Sequence, residues 1–420
     1  MKNTIFTFPS GLRMAHFENN AVRSVALGVH FGVGSSNETP QNNGISHFIE
    51  HMMFKGTDKR SALDIVSDLE SNGINVNAYT SKLNTCFYTI STDEEVEHCF
   101  DVLSDILLHS KFSDEEMAKE KGVILEEISI AEDDPADLCL DMMAGAYYGD
   151  NALGMTILGS RENVSNFSHK DVVDYYNTHY LANNCVIAIS GNISFDKAKE
   201  LVERYFEGEL RSDSAHEWKD KPCTIGSSYV CKYKDVEQAN IGLAFKAYSI
   251  TDDKAVEMEI ISSVLGGGMS SRLFQTIREK MGLAYSVYTY VSTTISNGYF
   301  VVSLSTNKES LKKAIKATRA VIDELKANGI TKEEFERAKK LTKSGYIIGS
   351  ESTSAIMRVS GKYTLCRDEI FDLDKLVDRV NTVTLDEVNE CLTHIFDYDT
   401  ANMAYVGREI DYNALDVFKE

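Results

Sequence analysis

Proline is scarce in this chain, with 4 in 420 residues against 26 glycines. No proline-rich spacer or low-complexity tract separates its parts. No apolar run is long enough to cross a bilayer. Basic residues are in deficit: 43 Lys and Arg face 64 Asp and Glu, a net charge of −21. That excludes the basic footprint which nucleic-acid phosphates require. The acidic balance serves solubility, and it suits basic or unfolded peptides held in an acidic cavity. The cysteines, at 86, 99, 139, 185, 223, 231, 366 and 391, form no C-x-x-C pair. They are expected to be reduced, mostly buried thiols of a reducing compartment. Residues 1–20 have neither an apolar signal core nor an Arg-rich amphipathic stretch, so a cytoplasmic location is expected.

The remainder is an ordinary globular composition, 43% hydrophobic and 25% charged. A length of 420 residues exceeds one core and implies at least two domains. A polar stretch at the midpoint, 211–222, is expected to link domains 1–210 and 223–420. The two halves echo each other. Ser113-Asp-Glu-Glu is followed 218 residues later by Thr331-Lys-Glu-Glu, both helix N-cap patterns. Ser168 and Thr384 open similar helices, and strands ending in Gly191 and Gly407 follow at the same 216-residue offset. Near-constant offsets argue for a duplicated unit. Within the first half, strands are expected at Ser24–Phe31, Asn75–Tyr79 and Thr85–Ile90. Helices are expected at Gly44–Phe54, Leu63–Glu70, Glu94–His109 and Asp114–Ile130. Clustered strands beside separate helices predict an α+β fold: two homologous domains, each an antiparallel sheet with helices.

The chemistry gathers at His47-Phe48-Ile49-Glu50-His51. On a helix, positions i, i+3 and i+4 share one face. Two imidazoles one turn apart can reach one Zn²⁺, and Glu50 beside them is placed to take a proton from the attacking water. Burying such groups among Ile45, Met52, Met53 and Phe54 is costly unless they are paired or metallated. A catalytic zinc needs a third protein ligand and an open position. Glu127 is the better candidate, because it lies two turns from Glu120 on the same face. Glu126 points about 100° away.

These residues resemble the M16 peptidases, the pitrilysin-like inverzincins. The resemblance spans nearly the whole chain. It is closest to the short subfamily that includes bacterial processing proteases and the mitochondrial processing peptidase β subunit. Gly32-Val-Gly-Ser-Ser-Asn-Glu is similar to the loop before the family's metal helix. His47-Phe-Ile-Glu-His-Met-Met-Phe-Lys-Gly-Thr is close to its full signature. Glu127 lies 76 residues after His51, where the family keeps its third ligand, and Glu120 matches its supporting acid. In the second half, Leu265-Gly-Gly-Gly-Met-Ser-Ser-Arg and the pair Arg278 and Tyr285 match the family's glycine-rich segment and Arg/Tyr pair.

The resemblance implies a peptidase with one zinc per chain, held by His47, His51 and Glu127, with Glu50 as general base. It implies two similar halves forming half of a clamshell, closed by a second copy into a homodimer around a chamber. Arg278 and Tyr285 would then grip the substrate carbonyl. The strand with Asn77, Ala78 and Tyr79 is similar to the family's substrate-binding edge, where a peptide adds by β-augmentation. Some positions depart from the family pattern: Leu83-Asn84, Asn151-Ala152 and Ala182, where proline is usual. None removes a metal ligand. The rival expectation is a non-catalytic, or partner-dependent, peptide-binding subunit of a heteromeric peptidase. In non-catalytic relatives the metal motif is degraded, whereas here it is complete in the first half and absent from the second.

Overall fold

The computed structural model describes residues 2–213, 223–410 and 416–418. The expected linker therefore lies, from 214 onward, outside the described residues. Two compact units form, each around its own sheet and apolar core.

The first unit holds six strands: β1 Lys2–Thr7, β2 Arg13–Glu18, β3 Ser24–Phe31, β4 Asn75–Thr80, β5 Thr85–Thr92 and β6 Cys185–Gly191. Their order is β1-β2-β6-β3-β5-β4, which leaves β4 at an edge. β2 and β6 run parallel, and every other neighbouring pair is antiparallel. Two helices carry the site, α1 Ile45–Met52 and α2 Asp114–Asp133.

Among its described residues, the second unit repeats this plan without a counterpart of β1. Its strands are β7 Tyr229–Tyr233, β8 Gln238–Ala247, β9 Ala284–Thr293, β10 Gly298–Asn307 and β11 Asn402–Gly407, in the order β7-β11-β8-β10-β9. Again one pair, β7 and β11, is parallel. The expected antiparallel unit thus gains one parallel pair in each copy. The offsets seen in the sequence have a structural basis. Ser168 and Thr384 both close capping boxes, with Asp171 and Glu387, and the strands that follow end at Gly191 and Gly407.

The units are not simply the two sequence halves: residues 129–154 belong to the second unit and residues 349–372 to the first. Helix α3, Pro135–Tyr148, follows α2 in the chain but belongs to the second unit, packed on β11 and β8. There the Tyr147 hydroxyl donates to the Gly298 carbonyl at 2.7 Å. Helices α4 Ala255–Leu265 and α5 Lys332–Gly349 complete that unit's counterpart of the site. Helix α6, Thr353–Arg367, belongs to the first unit, packed on β3 and β6. The physical reason lies in the strands. Every residue of β6 is buried, as are all but the first of β3, so both sheet faces need cover. Each half supplies one face of its own sheet and sends a helix to the other. Glycines permit the approach: a Cβ on Gly361 of α6 would stand 2.2 Å from the buried His30 ring, and one on Gly28 of β3 2.1 Å from Met357 Sδ.

No disulfide joins the eight cysteines, and five of them are buried, as expected of thiols.

Candidate metal centre

Helix α1 begins at Gly44, whose φ of 101° is open to glycine but strained for other residues. The carboxylate of Glu38, from the preceding loop, caps it. It accepts the backbone N–H of Gly44 at 2.8 Å and of Ser46 at 2.9 Å, and the Asn43 side-chain amide at 2.8 Å. A negative charge there also complements the helix dipole. Phe48, Ile49 and Met52 are buried in the core, which fixes the rotation of the helix. His47, Glu50 and His51 therefore share the side that meets α2 and β4.

On α2, Glu120 and Glu127 both turn toward α1, as the seven-residue spacing predicted. Glu127 Oε2 lies 3.5 Å from His47 Nε2 and 3.5 Å from His51 Nε2. The donor atoms of His47, His51 and Glu127 all fall within 4.8 Å of one another. Around a tetrahedral ion with bonds of about 2.0–2.1 Å, adjacent donors stand about 3.3 Å apart. The three side chains fit zinc at nearly their present positions.

The supporting contacts sharpen the fit. His51 Nδ1 meets Glu120 Oε1 at 2.9 Å, and Lys55 Nζ meets the other Glu120 oxygen at 2.7 Å. With the proton on Nδ1, the Nε2 lone pair of His51 faces Glu127. Burial, with help from the His51 charge, pushes His47 down to about 4, so its ring is neutral near pH 7. Its Nδ1 has no hydrogen-bond partner among the described residues. His51 is displaced the other way. Burial would lower it, but the Glu120 hydrogen bond and the Glu127, Glu120 and Glu50 charges prevail. Glu120 is held low: burial opposes this, and its bonds to His51 and Lys55 win. Burial raises Glu50, offset in part by the Thr80 hydroxyl, which donates to its Oε2. A carboxylate raised in this way is a stronger base.

The other expected residues are placed as follows. Asn77, Ala78 and Tyr79 lie on β4, at the sheet edge. The Asn77 side chain is turned back and accepts the Ala78 N–H at 2.8 Å. Arg278 and Tyr285 belong to the second unit and meet each other, with the guanidinium 5.4 Å from the Tyr285 ring centre. Tyr285 is 77% exposed. Three contributors, Glu38, Lys55 and Thr80, lie in motifs noted in the sequence but were given no individual role there. Lys55 follows His51 by one turn, a spacing that could have flagged it. Thr80 gave no local signal, because its contact with Glu50 depends on strand packing.

Comparison with known proteins agrees with this geometry. Residues 13–161 match the family described as "Insulinase (Peptidase family M16)", and residues 166–342 match "Peptidase M16 inactive domain". An uncharacterized zinc protease of Bacillus subtilis, YmxG, is 37% identical over 94% of this chain and 96% of its own. An uncharacterized zinc protease of Streptomyces coelicolor is 37% identical over 91% of this chain and 84% of its own. Among solved structures, a peptidase M16 inactive domain from Pseudomonas fluorescens superposes with a TM-score of 0.91 at 19% identity, covering 98% of each chain. That likeness shows the fold alone. Fold, site and relatives together define a zinc metallopeptidase. The chain belongs to the M16 peptidase family. No described helix is long and apolar enough to cross a membrane.

Proposed function

We propose that this chain is an endopeptidase cleaving short or unfolded peptides, with one zinc ion held by His47, His51 and Glu127. The observation that carries this reading is the single carboxylate oxygen of Glu127 facing both imidazole Nε2 atoms at 3.5 Å. Zinc, when bound there, supplies a Lewis acid that polarises the peptide carbonyl and lowers the pKa of water to about 7.

The chain's own residues do the rest. Glu50 takes a proton from the attacking water and passes it to the leaving amine. Thr80 orients the Glu50 carboxylate, and Glu120 orients His51. The β4 edge, with Asn77, Ala78 and Tyr79, receives an extended peptide through backbone hydrogen bonds. For this the Asn77 side chain must release the Ala78 N–H. Arg278 and Tyr285 of a second copy grip the substrate carbonyl, so the working form is a homodimer enclosing a chamber. The exposure of Tyr285 and its stacking with Arg278 support that role. The buried, unbridged thiols support a cytoplasmic location.

The test is hydrolysis of a quenched fluorescent peptide set by wild type and Glu50→Gln, with metal content measured on both. The reading expects wild type to cleave, a chelator to stop it, and the variant to keep zinc while losing cleavage. Zinc binding without cleavage of any peptide would favour the partner-dependent subunit instead. Absence of metal binding would sink the reading.

A further inference from the structure

In a chain so rich in acid, Arg358 is conspicuous for lacking any. It lies on α6, which the second sequence half contributes to the first unit. It is only partly exposed, and no carboxylate pairs with it among the described residues. Its guanidinium carbon stands 5.7 Å from the centre of the Tyr88 ring. Tyr88, on β5, is the direct cross-strand neighbour of Asn77 on β4, and the rings of Tyr88 and Tyr79 are 6.4 Å apart. The charge of Arg358 also acts at the Tyr79 hydroxyl, favouring its ionised form against the larger effect of burial.

The two faces of β4 differ. Val76 and Ala78 pack into the core beside α1, and Thr80 reaches Glu50. Because side chains alternate, Asn77 and Tyr79 lie on the other face, with Tyr88 and Arg358. A peptide strand added to the β4 edge would alternate in the same way. Every second side chain would lie on the Tyr79 face, about 5 Å from its cross-strand neighbour and about 7–8 Å from the diagonal one. Tyr88 lies one strand further in, about 10 Å from such a peptide strand, a span that the long side chains of arginine and Glu bridge together.

We propose that Arg358, flanked by Tyr79 and Tyr88, forms a subsite that selects an acidic side chain in the peptide, on the strand face opposite Glu50. The inference rests on the peptidase reading and on β4 as the substrate strand. The chemistry follows from what the site lacks. A partly desolvated guanidinium without a counter-charge has an unmet preference, and no internal carboxylate must be displaced to satisfy it. The Tyr88 ring lies beside the guanidinium, whose planar fork suits a two-point contact with Asp or Glu. Cation–π stacking on Tyr88 alone would be a purely structural role, and it predicts no substrate preference.

The experiment uses the full-length chain and a matched set of quenched peptides. One position at a time, on both sides of the cleaved bond, carries Glu, Gln or Lys. The expected result is a preference of about tenfold or more in kcat/KM for Glu over Gln, at positions spaced by two. Arg358→Gln should abolish that preference, Arg358→Lys should keep part of it, and Arg358→Glu should shift it toward Lys. Binding of the Glu and Gln peptides to Glu50→Gln, read by fluorescence anisotropy, should show the same order without turnover. If wild type cleaves but prefers Glu nowhere, or if Arg358→Gln keeps the preference, the subsite is refuted while the peptidase reading stands. If wild type cleaves no peptide at all, both fall together.

Discussion

The metal centre of the first unit has a counterpart in the second, and the two differ in little but chemistry. In α1, Phe48, Ile49, Met52 and Met53 are buried; in α4, Ile260, Ile261, Val264 and Leu265 follow the same pattern. That register places Glu259 where His47 stands, Ser262 where Glu50 stands and Ser263 where His51 stands. The spacing from Ser113 to Thr331 carries Glu127 onto Gly345 and Glu120 onto the buried Ala338. Strand pairing across the two sheets aligns Asn77 with Tyr288. Glu259, Ser262, Ser263, Tyr290 and Gly345 line one cavity of about 460 Å³. Within that cavity, Ser262 and Thr289 share a hydrogen bond of 2.9 Å. Duplication preserved the residues that set the fold and let go of those that hold a metal. Function here resides in a handful of side chains on a repeated scaffold.

The comparison breaks most readily at a ligand. His51→Ala should remove both zinc and peptide hydrolysis, while Ser263→Ala should change neither; metal analysis and the peptide assay decide. Next comes the supporting acid, which the second unit replaces with Ala338. Glu120→Gln should weaken zinc binding about 10–100-fold, measured by competition with a chromogenic chelator. An unchanged affinity would mean that the Glu120–His51 bond does not orient the ligand.

The helix-to-sheet contacts offer a smaller contrast. Gly361→Ala on α6 drives a Cβ into the buried His30 ring, whereas Gly242→Ala on β8, where α3 packs, meets Met143 Sδ at 3.0 Å. The first should destabilise by about 1–2 kcal/mol and the second by less than about 1 kcal/mol. Urea unfolding curves would reverse this reading if the two variants behaved alike.

The smallest effect is a pH dependence confined to the second unit. Arg272 grips Glu334 with two bonds of 2.7 Å. Burial opposes ionisation, but these bonds and the Thr331 N–H bring Glu334 down to about 2. A carboxylate lowered on folding stabilises above its ordinary value near 4.5. That contribution is lost as the pH falls from there toward about 2. It is on the order of 1 kcal/mol after allowance for solvent screening. Glu334→Gln should flatten the acid limb of the stability curve, and an unchanged limb would assign it to other groups.

What the sequence disclosed follows from what is local. Ser24–Phe31 was bounded correctly as a strand, because a largely apolar run between Ser24 and Gly32, interrupted only by Gly28 and His30, leaves little choice. The clustering of His47, His51 and Glu127 was legible because α1 fixes two of them at i and i+4, and the period of α2 aims the third. The exchange of α3 and α6 was not legible. Periodicity announces a helix and its apolar side, but not the sheet that receives it. The almost wholly apolar β6, Cys185-Val-Ile-Ala-Ile-Ser-Gly, was the available hint, since a strand apolar on both faces needs cover on both. Arg358 carried no signal, because its significance depends on lying across the sheet from residues some 270 positions earlier.

The exchange also sets a timetable. The first unit lacks its second cover until residue 367 has been made, long after β6 ends at Gly191. At about 5–20 residues per second, synthesis would leave that face of β3 and β6 bare for roughly 10–35 s. A nascent chain cut short anywhere in that interval would carry every zinc ligand, yet it would lack the helix that completes the core behind them. The metal-binding unit is thus completed by a helix that the chain delivers only after most of the second unit has been made.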